Sequence, residues 1–357
     1  MEARASASDR QIERPPLIIR RVDAIPVALP LTKPMKMASV TIAHADNLLV
    51  RIEAADGTVG WGEAAPFEPY DGVPLDVVLA ALCDGEPGDA APAQARAAWE
   101  LALLDLHARR EGRSLGEPGA DAIAVNRTLP AGPPDEVARH AAEGVREGFS
   151  CFKVKVGLPD DAERVGAVRE AIGPWPALRI DANGAWSVEQ AVTALGRLAR
   201  YDLQLVEQPC ATLGELAELR RDCPLPIAAD ESVATLDDVR TAAALGACDA
   251  VNVKLASSGG FAAAREALRT AREHGLEPFL SSTLDGPWGI AAALQLAASE
   301  RLSLACGLAT LELFDARIAR VLPPPRLGLL PVPQGPGLGV AVDDDVLAEV
   351  LVEEVQQ

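Results

Sequence analysis

The feature that most constrains the fold is a regular return of short apolar runs. "CFKVKVG", "LRIDANG", "LQLVEQP", "LPIAADES", "AVNVKLA", "EPFLSST" and "LSLACGL" follow one another through the second half of the chain. Lys153, Asp181, Glu207, Asp230, Lys254, Ser281 and Gly307 mark their ends, at steps of 28, 26, 23, 24, 27 and 26 residues. A step of that length holds one strand and one crossover helix. Amphipathic segments such as "DAERVGAVREAI" and "SVEQAVTALGRLARY" fill the gaps. Adding "IAVNRTLP", Ile123 to Pro130, makes eight strands, the number that closes a (β/α)8 barrel. A doubly wound open sheet is the competing architecture. The chain offers it no dinucleotide fingerprint, since "GPGLG" at Gly335 to Gly339 lacks the G-x-G-x-x-G spacing.

The first part of the chain reads as α+β. "NLLVRIEAADGTVGWGE" is two alternating strands turning at Asp56-Gly57, and "PLDVVLAALCDG" and "APAQARAAWELALLDLHARREG" have helical periodicity. The expected organisation is a mobile leader at 1–16, an α+β capping domain at 17–122, a (β/α) barrel at 123–322, and a C-terminal segment at 323–357 that returns to the capping domain. The opening residues have no apolar core of a signal peptide, and no run of 18 apolar residues occurs. Six scattered cysteines form no C-x-x-C pair, which fits free thiols in a reducing cytoplasm. A formal net charge of -19 argues against nucleic acid and anionic membrane as partners. A local group of lysines still permits a small anionic carboxylate. The sequence allows a homo-oligomer and does not specify one.

Chemistry in such a barrel sits at the C-terminal ends of the strands. Lys153 and Lys155, two apart, share one strand face. Asp181 with Asn183, Glu207, Asp230 with Glu231, and Lys254 stand at the next four strand ends. One acid at a strand end is ordinarily a helix cap. The same placement on five successive strands points to one shared site. Three carboxylates from separate strands suit a hard divalent cation, Mg²⁺ first, with Mn²⁺ an allowed substitute. No His or Cys stands among them, which argues against Zn²⁺. A cation beside lysines suits removal of a proton next to a carboxylate, because the resulting enediolate carries two negative charges. A lysine serves as base only if its pKa falls, and Lys153 together with the metal is expected to push Lys155 down.

"WGEAAPFEPYDG", "KVK", "DANGAW", "VEQP", "ADES" and "NVKLASSGG", in this order, resemble the enolase superfamily over nearly the whole chain. K-x-K with Lys254 is similar to the muconate lactonizing enzyme subgroup; the mandelate racemase subgroup has a His where this chain reads "FLSSTLD". The resemblance implies Asp181, Glu207 and Asp230 as metal ligands, Lys155 and Lys254 as acid/base lysines, and Lys153 as the stabilising lysine. Asn183 and Glu231 are implied as supports behind them. "SSTLDGPWGIAAALQLAA" and "LACGLATLELF" look most like the o-succinylbenzoate synthases of menaquinone biosynthesis, with Ser281, Ser282 and Gly307 lining the pocket. Those synthases often carry an Arg in the capping loop, where this chain has Lys33 and Lys36. The implied reaction is a dehydration. The alternatives are racemisation of N-acylamino acids or epimerisation of dipeptides, then cycloisomerisation of muconate, and last a barrel that only binds a ligand.

Overall fold

A computed structural model describes residues 16–36 and 40–352. The expected leader therefore lies, but for residue 16, outside the described residues, as does the Lys36 side chain. Three strands open the chain: β1 (Ile19–Lys36), β2 (Thr41–Ala54) and β3 (Val59–Ala64). They form an antiparallel sheet in the order β1-β2-β3. Helices α1 (Glu68–Asp71), α2 (Leu75–Cys83) and α3 (Ala93–Glu111) follow.

The two-residue period of these strands gives the sheet two different faces. Leu48, Val50, Ile52 and Ala54 face α2 and α3 in a core with Val78, Leu82, Ala98 and Leu106. Leu49 packs instead into the larger core shared with the barrel. On β3, Gly60 and Gly62 face α3 so closely that a Cβ on Gly62 would lie 1.9 Å from the Ala98 carbonyl oxygen. Gly62→Ala must push strand and helix apart, so it should cost about 1–3 kcal/mol or more. A thermal midpoint unchanged within a degree would contradict this packing.

A short antiparallel pair, β4 (Ala122–Ala124) with β12 (Leu329–Pro331), joins the C-terminal segment to the start of the barrel. The barrel strands are β5 (Arg127–Leu129), β6 (Cys151–Lys155), β7 (Ala177–Asp181), β8 (Leu203–Glu207), β9 (Ile227–Ala229), β10 (Ala250–Val253) and β11 (Glu277–Leu280). They run parallel in sequence order. Helices α4 (Pro134–Arg146), α5 (Asp161–Ile172), α6 (Val188–Leu198), α7 (Leu213–Arg220), α8 (Leu236–Leu245), α9 (Phe261–Glu273) and α10 (Pro287–Ser299) alternate with them. After a short α11 (Ala316–Ala319) and β12, α12 (Asp344–Val350) ends the fold.

Two strands differ from expectation. "IAVNRTLP" is not one strand: its first half pairs with β12 and only its second half enters the barrel. The eighth position is held by isolated pairings, Ser281 with Gly307 on one side and Val125 with Cys306 on the other. Gly307 N donates to the Leu280 carbonyl and Asn126 N to the Cys306 carbonyl, so the ring closes through two residues. A Cβ on Gly307 would meet the Ser281 Cβ at 2.8 Å, so the closure needs glycine.

The C-terminal segment runs back over the opening sheet. Leu338 N donates to buried Asp105 of α3, and Leu351 bridges Val27. No helix among the described residues is long and apolar enough to cross a membrane.

Candidate active site

The sheet register sets the geometry. Lys155 pairs with Asp181 and Asp181 with Glu207, so the ends of β6, β7 and β8 are level. One layer below, Lys153 is level with Arg179, a fully buried arginine that donates to Gln204 and to the Ala305 carbonyl. β6 and β10 are four places apart in a ring of eight, which sets Lys155 and Lys254 on opposite sides of the barrel mouth.

Lys153 is the centre of the arrangement. Its Nζ donates to Asp181 Oδ2 and Glu207 Oε1, each at 3.0 Å. Burial lowers its pKa, but Asp181, Glu207 and Asp230 outweigh that and hold it above the ordinary lysine range. It therefore remains an ammonium. Burial raises Asp181, yet Lys153 and Lys155 prevail and keep it below the usual carboxylate range. Glu207 is pushed up to about 7 by burial, against the pull of Lys153. Asp230 and Glu231 are raised, again chiefly by burial.

Lys155 bonds Asn183 Oδ1. Its pKa is lowered, as the sequence suggested, but the ranking of causes differs. Burial comes first, Asp181 and Glu231 oppose it, and Lys153 adds a smaller push downward. A desolvated lysine with no carboxylate hydrogen-bonded to it is the one group here suited to accept a proton. Lys254 bonds Asp230, and it donates to Tyr70 Oη at 2.6 Å.

The turns that follow the strands hold these groups. Asn183 adopts φ 44°, a left-handed conformation that Asn tolerates. Its backbone N–H donates to Asp181 Oδ1 at 2.9 Å and its Nδ2 to Glu231 Oε1 at 2.7 Å. Gln208, at φ 38° and fully buried, accepts from Asp230 N at 2.7 Å and so fixes the end of β9 against the end of β8. Asn252 donates to Glu207 Oε1 at 3.1 Å. Ser281 and Gly307 meet at the barrel closure, and Ser282 Oγ lies 2.8 Å from Thr310 Oγ1. Lys33 is exposed on β1.

Sequence reasoning missed Tyr70, Gln208 and Asn252. The signal for Asn252 was present, since it lies two residues before Lys254 on the same strand face. Gln208 directly follows Glu207. Tyr70 comes from the other domain and had no local signal.

As they stand, no three carboxylate, imidazole or thiol groups among the described residues form a ready ligand cage. Lys153 lies between Asp181 and Glu207, and Lys254 sits on Asp230. The donor set nevertheless fits a hard cation. Three carboxylates converge from adjacent strands, and two buried acceptors, Glu231 Oε2 and Asn252 Oδ1, have no partner. Asp181, Glu207, Asp230 and Glu231 outnumber the lysines Lys153, Lys155 and Lys254 that face them. A divalent cation would offset that excess of acid and make the site more accessible to a carboxylate.

A barrel with acids on three successive strand ends and lysines on either side of them is the architecture of the enolase superfamily, and this chain belongs to it. Residues 136–346 match the family described as Enolase C-terminal domain-like. The chain is 37% identical over 328 residues to the o-succinylbenzoate synthase of Thermobifida fusca, covering 90% of each chain. The solved dipeptide epimerase of Cytophaga hutchinsonii, complexed with Mg and the dipeptide D-Ala-L-Val, superimposes with a TM-score of 0.84 at 29% identity, over 93% of this chain and 98% of that one. The 2-chloromuconate cycloisomerase of Rhodococcus opacus superimposes with a TM-score of 0.86 at 30% identity, over 94% and 100%. Enzymes of this superfamily use Mg²⁺ with a Lys or His base.

Proposed function

We propose that this protein is a Mg²⁺-dependent lyase, an o-succinylbenzoate synthase. It would dehydrate a cyclohexadiene carboxylate bearing a succinyl chain. The observation that carries this reading is the uncharged end of the eighth strand. Cys306, Gly307, Leu308, Ala309 and Thr310 put no carboxylate beside the pocket to hold a substrate ammonium. An eighth strand end without a carboxylate suits a succinyl chain better than an amino terminus. The similarity to the Thermobifida fusca synthase over 90% of both chains supports the same choice.

Asp181, Glu207 and Asp230 would hold the cation, which supplies positive charge next to the substrate carboxylate. Asn183 and Glu231 orient that set, and Asn252 and Gln208 fix Glu207 and Asp230 from behind. Lys155 Nζ takes the proton α to the carboxylate. Lys153 and Lys254, both cations facing the same space, hold the enediolate that forms. The ring then expels hydroxide, and the proton held on Lys155 returns to it as water. The C–H and C–O bonds broken are balanced by the new ring double bond.

The test is turnover of the succinyl-cyclohexadiene carboxylate, followed by ultraviolet absorbance as the ring aromatises. Fast aromatisation with Mg²⁺ that EDTA abolishes and Mg²⁺ restores is expected. No aromatisation under saturating Mg²⁺ would rule the synthase out. The second reading, an isomerase acting on N-succinyl amino acids or dipeptides, is favoured by the placement of Lys155 and Lys254 on opposite sides of the mouth. Polarimetry on an N-succinyl amino acid addresses it in the same preparation.

A further inference from the structure

Tyr70 is the capping-domain side chain that reaches the charged groups of the barrel mouth. It accepts from Lys254 Nζ at 2.6 Å and donates to Asp230 Oδ2 at 3.2 Å. The same ammonium lies 4.9 Å from the centroid of its ring. With Oη only 2.6 Å away, that places the ammonium beyond the hydroxyl edge of the ring rather than over its face. Lys254 is thus held from the capping domain by the Tyr70 hydroxyl, and from the barrel by Asp230.

The turn that delivers Tyr70 is braced by Asp71. Asp71 accepts from the backbone N–H groups of Phe67 and Val73 at 3.0 and 2.9 Å. It also accepts from buried Gln94 of α3 at 2.8 Å, which ties the turn to the body of the capping domain. Lys155 has no such grip among the described residues: its Nζ donates to the amide oxygen of Asn183. The two lysines on opposite sides of the mouth are therefore held unequally.

That inequality matters to the outcome of the reaction. Loss of hydroxide needs one lysine to move a proton and the other to stay as a fixed charge. Inversion at the α-carbon needs both Nζ atoms to reach it, one from each face. We propose that Tyr70 is a specificity-determining positioning residue, which holds Lys254 against Asp230 and so favours elimination over proton return on the Lys254 face. This rests on the synthase reading, and its test is independent of aromatisation.

The test uses full-length protein with Mg²⁺ in deuterium oxide. Exchange of the α-proton is followed by NMR for N-succinyl-L- and N-succinyl-D-phenylalanine separately. Lys155 serves one enantiomer and Lys254 the other. The wild type should exchange one enantiomer at least about 10-fold faster than the other. Tyr70→Phe keeps the ring and the packing but frees Nζ from the hydroxyl. It should raise the slow enantiomer's kcat several-fold, with KM little changed and the fast enantiomer's rate preserved. Tyr70→Leu, which lacks the hydroxyl as well, should move the ratio in the same direction.

Equal exchange of both enantiomers by the wild type would overturn the proposal. So would an unchanged ratio in both variants, or no exchange of either enantiomer in any of the proteins. A merely structural role for Tyr70 would lower both rates together and leave their ratio where it was, which also counts against it. Aromatisation by the wild type is scored separately, so loss of the synthase reading and loss of the Tyr70 proposal give different results.

Discussion

Lys155→Ala should lower turnover about 10²- to 10⁴-fold while leaving the fold intact, the range expected when a general base is removed. Among the described residues Lys155 bonds only the Asn183 side chain and packs no part of the core, so thermal stability should change little. Lys155→Arg keeps the positive charge but presents a guanidinium that does not deprotonate, so it should be nearly as inactive. That pair separates proton transfer from simple charge. In the wild type, kcat/KM should rise with pH as Lys155 loses its proton. The midpoint should fall below the ordinary lysine range, because burial disfavours the ammonium. Retention of full turnover by Lys155→Ala would remove Lys155 from the role of base.

The second large effect concerns stability. Glu63 ends β3 on the face opposite Gly62 and is buried between the two domains. It accepts from Asn47 Nδ2 at 2.7 Å and from the backbone N–H groups of Gly286 and Gly289 at 2.8 Å each. Glu63→Ala leaves the Gly286 and Gly289 N–H groups without this acceptor and removes one of the two bonds of Asn47 Nδ2, which keeps the Leu284 carbonyl at 3.2 Å. At about 1–3 kcal/mol for each, the loss should be on the order of 5 kcal/mol. For a chain of this size that corresponds to a fall of roughly 10 °C in thermal midpoint.

The same group predicts a pH dependence. Burial and the adjacent Asp285 carboxylate push Glu63 up to about 7 from an ordinary 4.5. Its folded value exceeds its unfolded value, so the folded state binds more protons in between. Its contribution is fully present below about 4.5 and is lost as pH rises to 7. Asp285, raised to about 6 by burial, acts in the same direction. Glu63→Gln should flatten part of this slope, leaving the share due to Asp285. Thermal midpoints measured from pH 4.5 to 8 for both proteins decide it; identical slopes would place the titration elsewhere.

The barrel was legible because its signal is local and repeated. Five successive strand ends, from Lys155 to Lys254, each carried a charged residue, and the two-residue period fixed which side chains share a face. Lys153, Lys155, Asp181, Glu207, Asp230 and Lys254 could all be placed at one mouth from spacing alone. The eighth strand was legible as a segment but not as a minimal closure, because two hydrogen-bonded residues have no pattern. The division of "IAVNRTLP" depends on β12, two hundred residues away, and long-range pairing leaves no local trace. Tyr70 was missed for a similar reason. It sits in a four-residue helix of the other domain, and only the packing of the two domains brings its hydroxyl to Lys254. The order of influences on Lys155 was misjudged because burial, unlike the spacing of charges, cannot be read from neighbours in the chain.

Glu63 is not alone in its position. Glu100 of α3 accepts from the backbone N–H groups of Phe261 and Ala262 at 2.6 and 3.2 Å, at the start of α9, as Glu63 does at the start of α10. Two acids of the opening domain thus occupy the positive ends of the barrel helices that follow the Lys254 and Ser281 strands. The opening domain and the barrel are in this respect unlike interchangeable parts. A chimera that set the opening domain of one relative on the barrel of another would have to carry both acids in register with both helix starts. A recombination point before β5 separates each acid from its helix. Descent within such a family should therefore retain the two halves together, with substrate preference changing by substitutions around the mouth rather than by exchange of the domain above it.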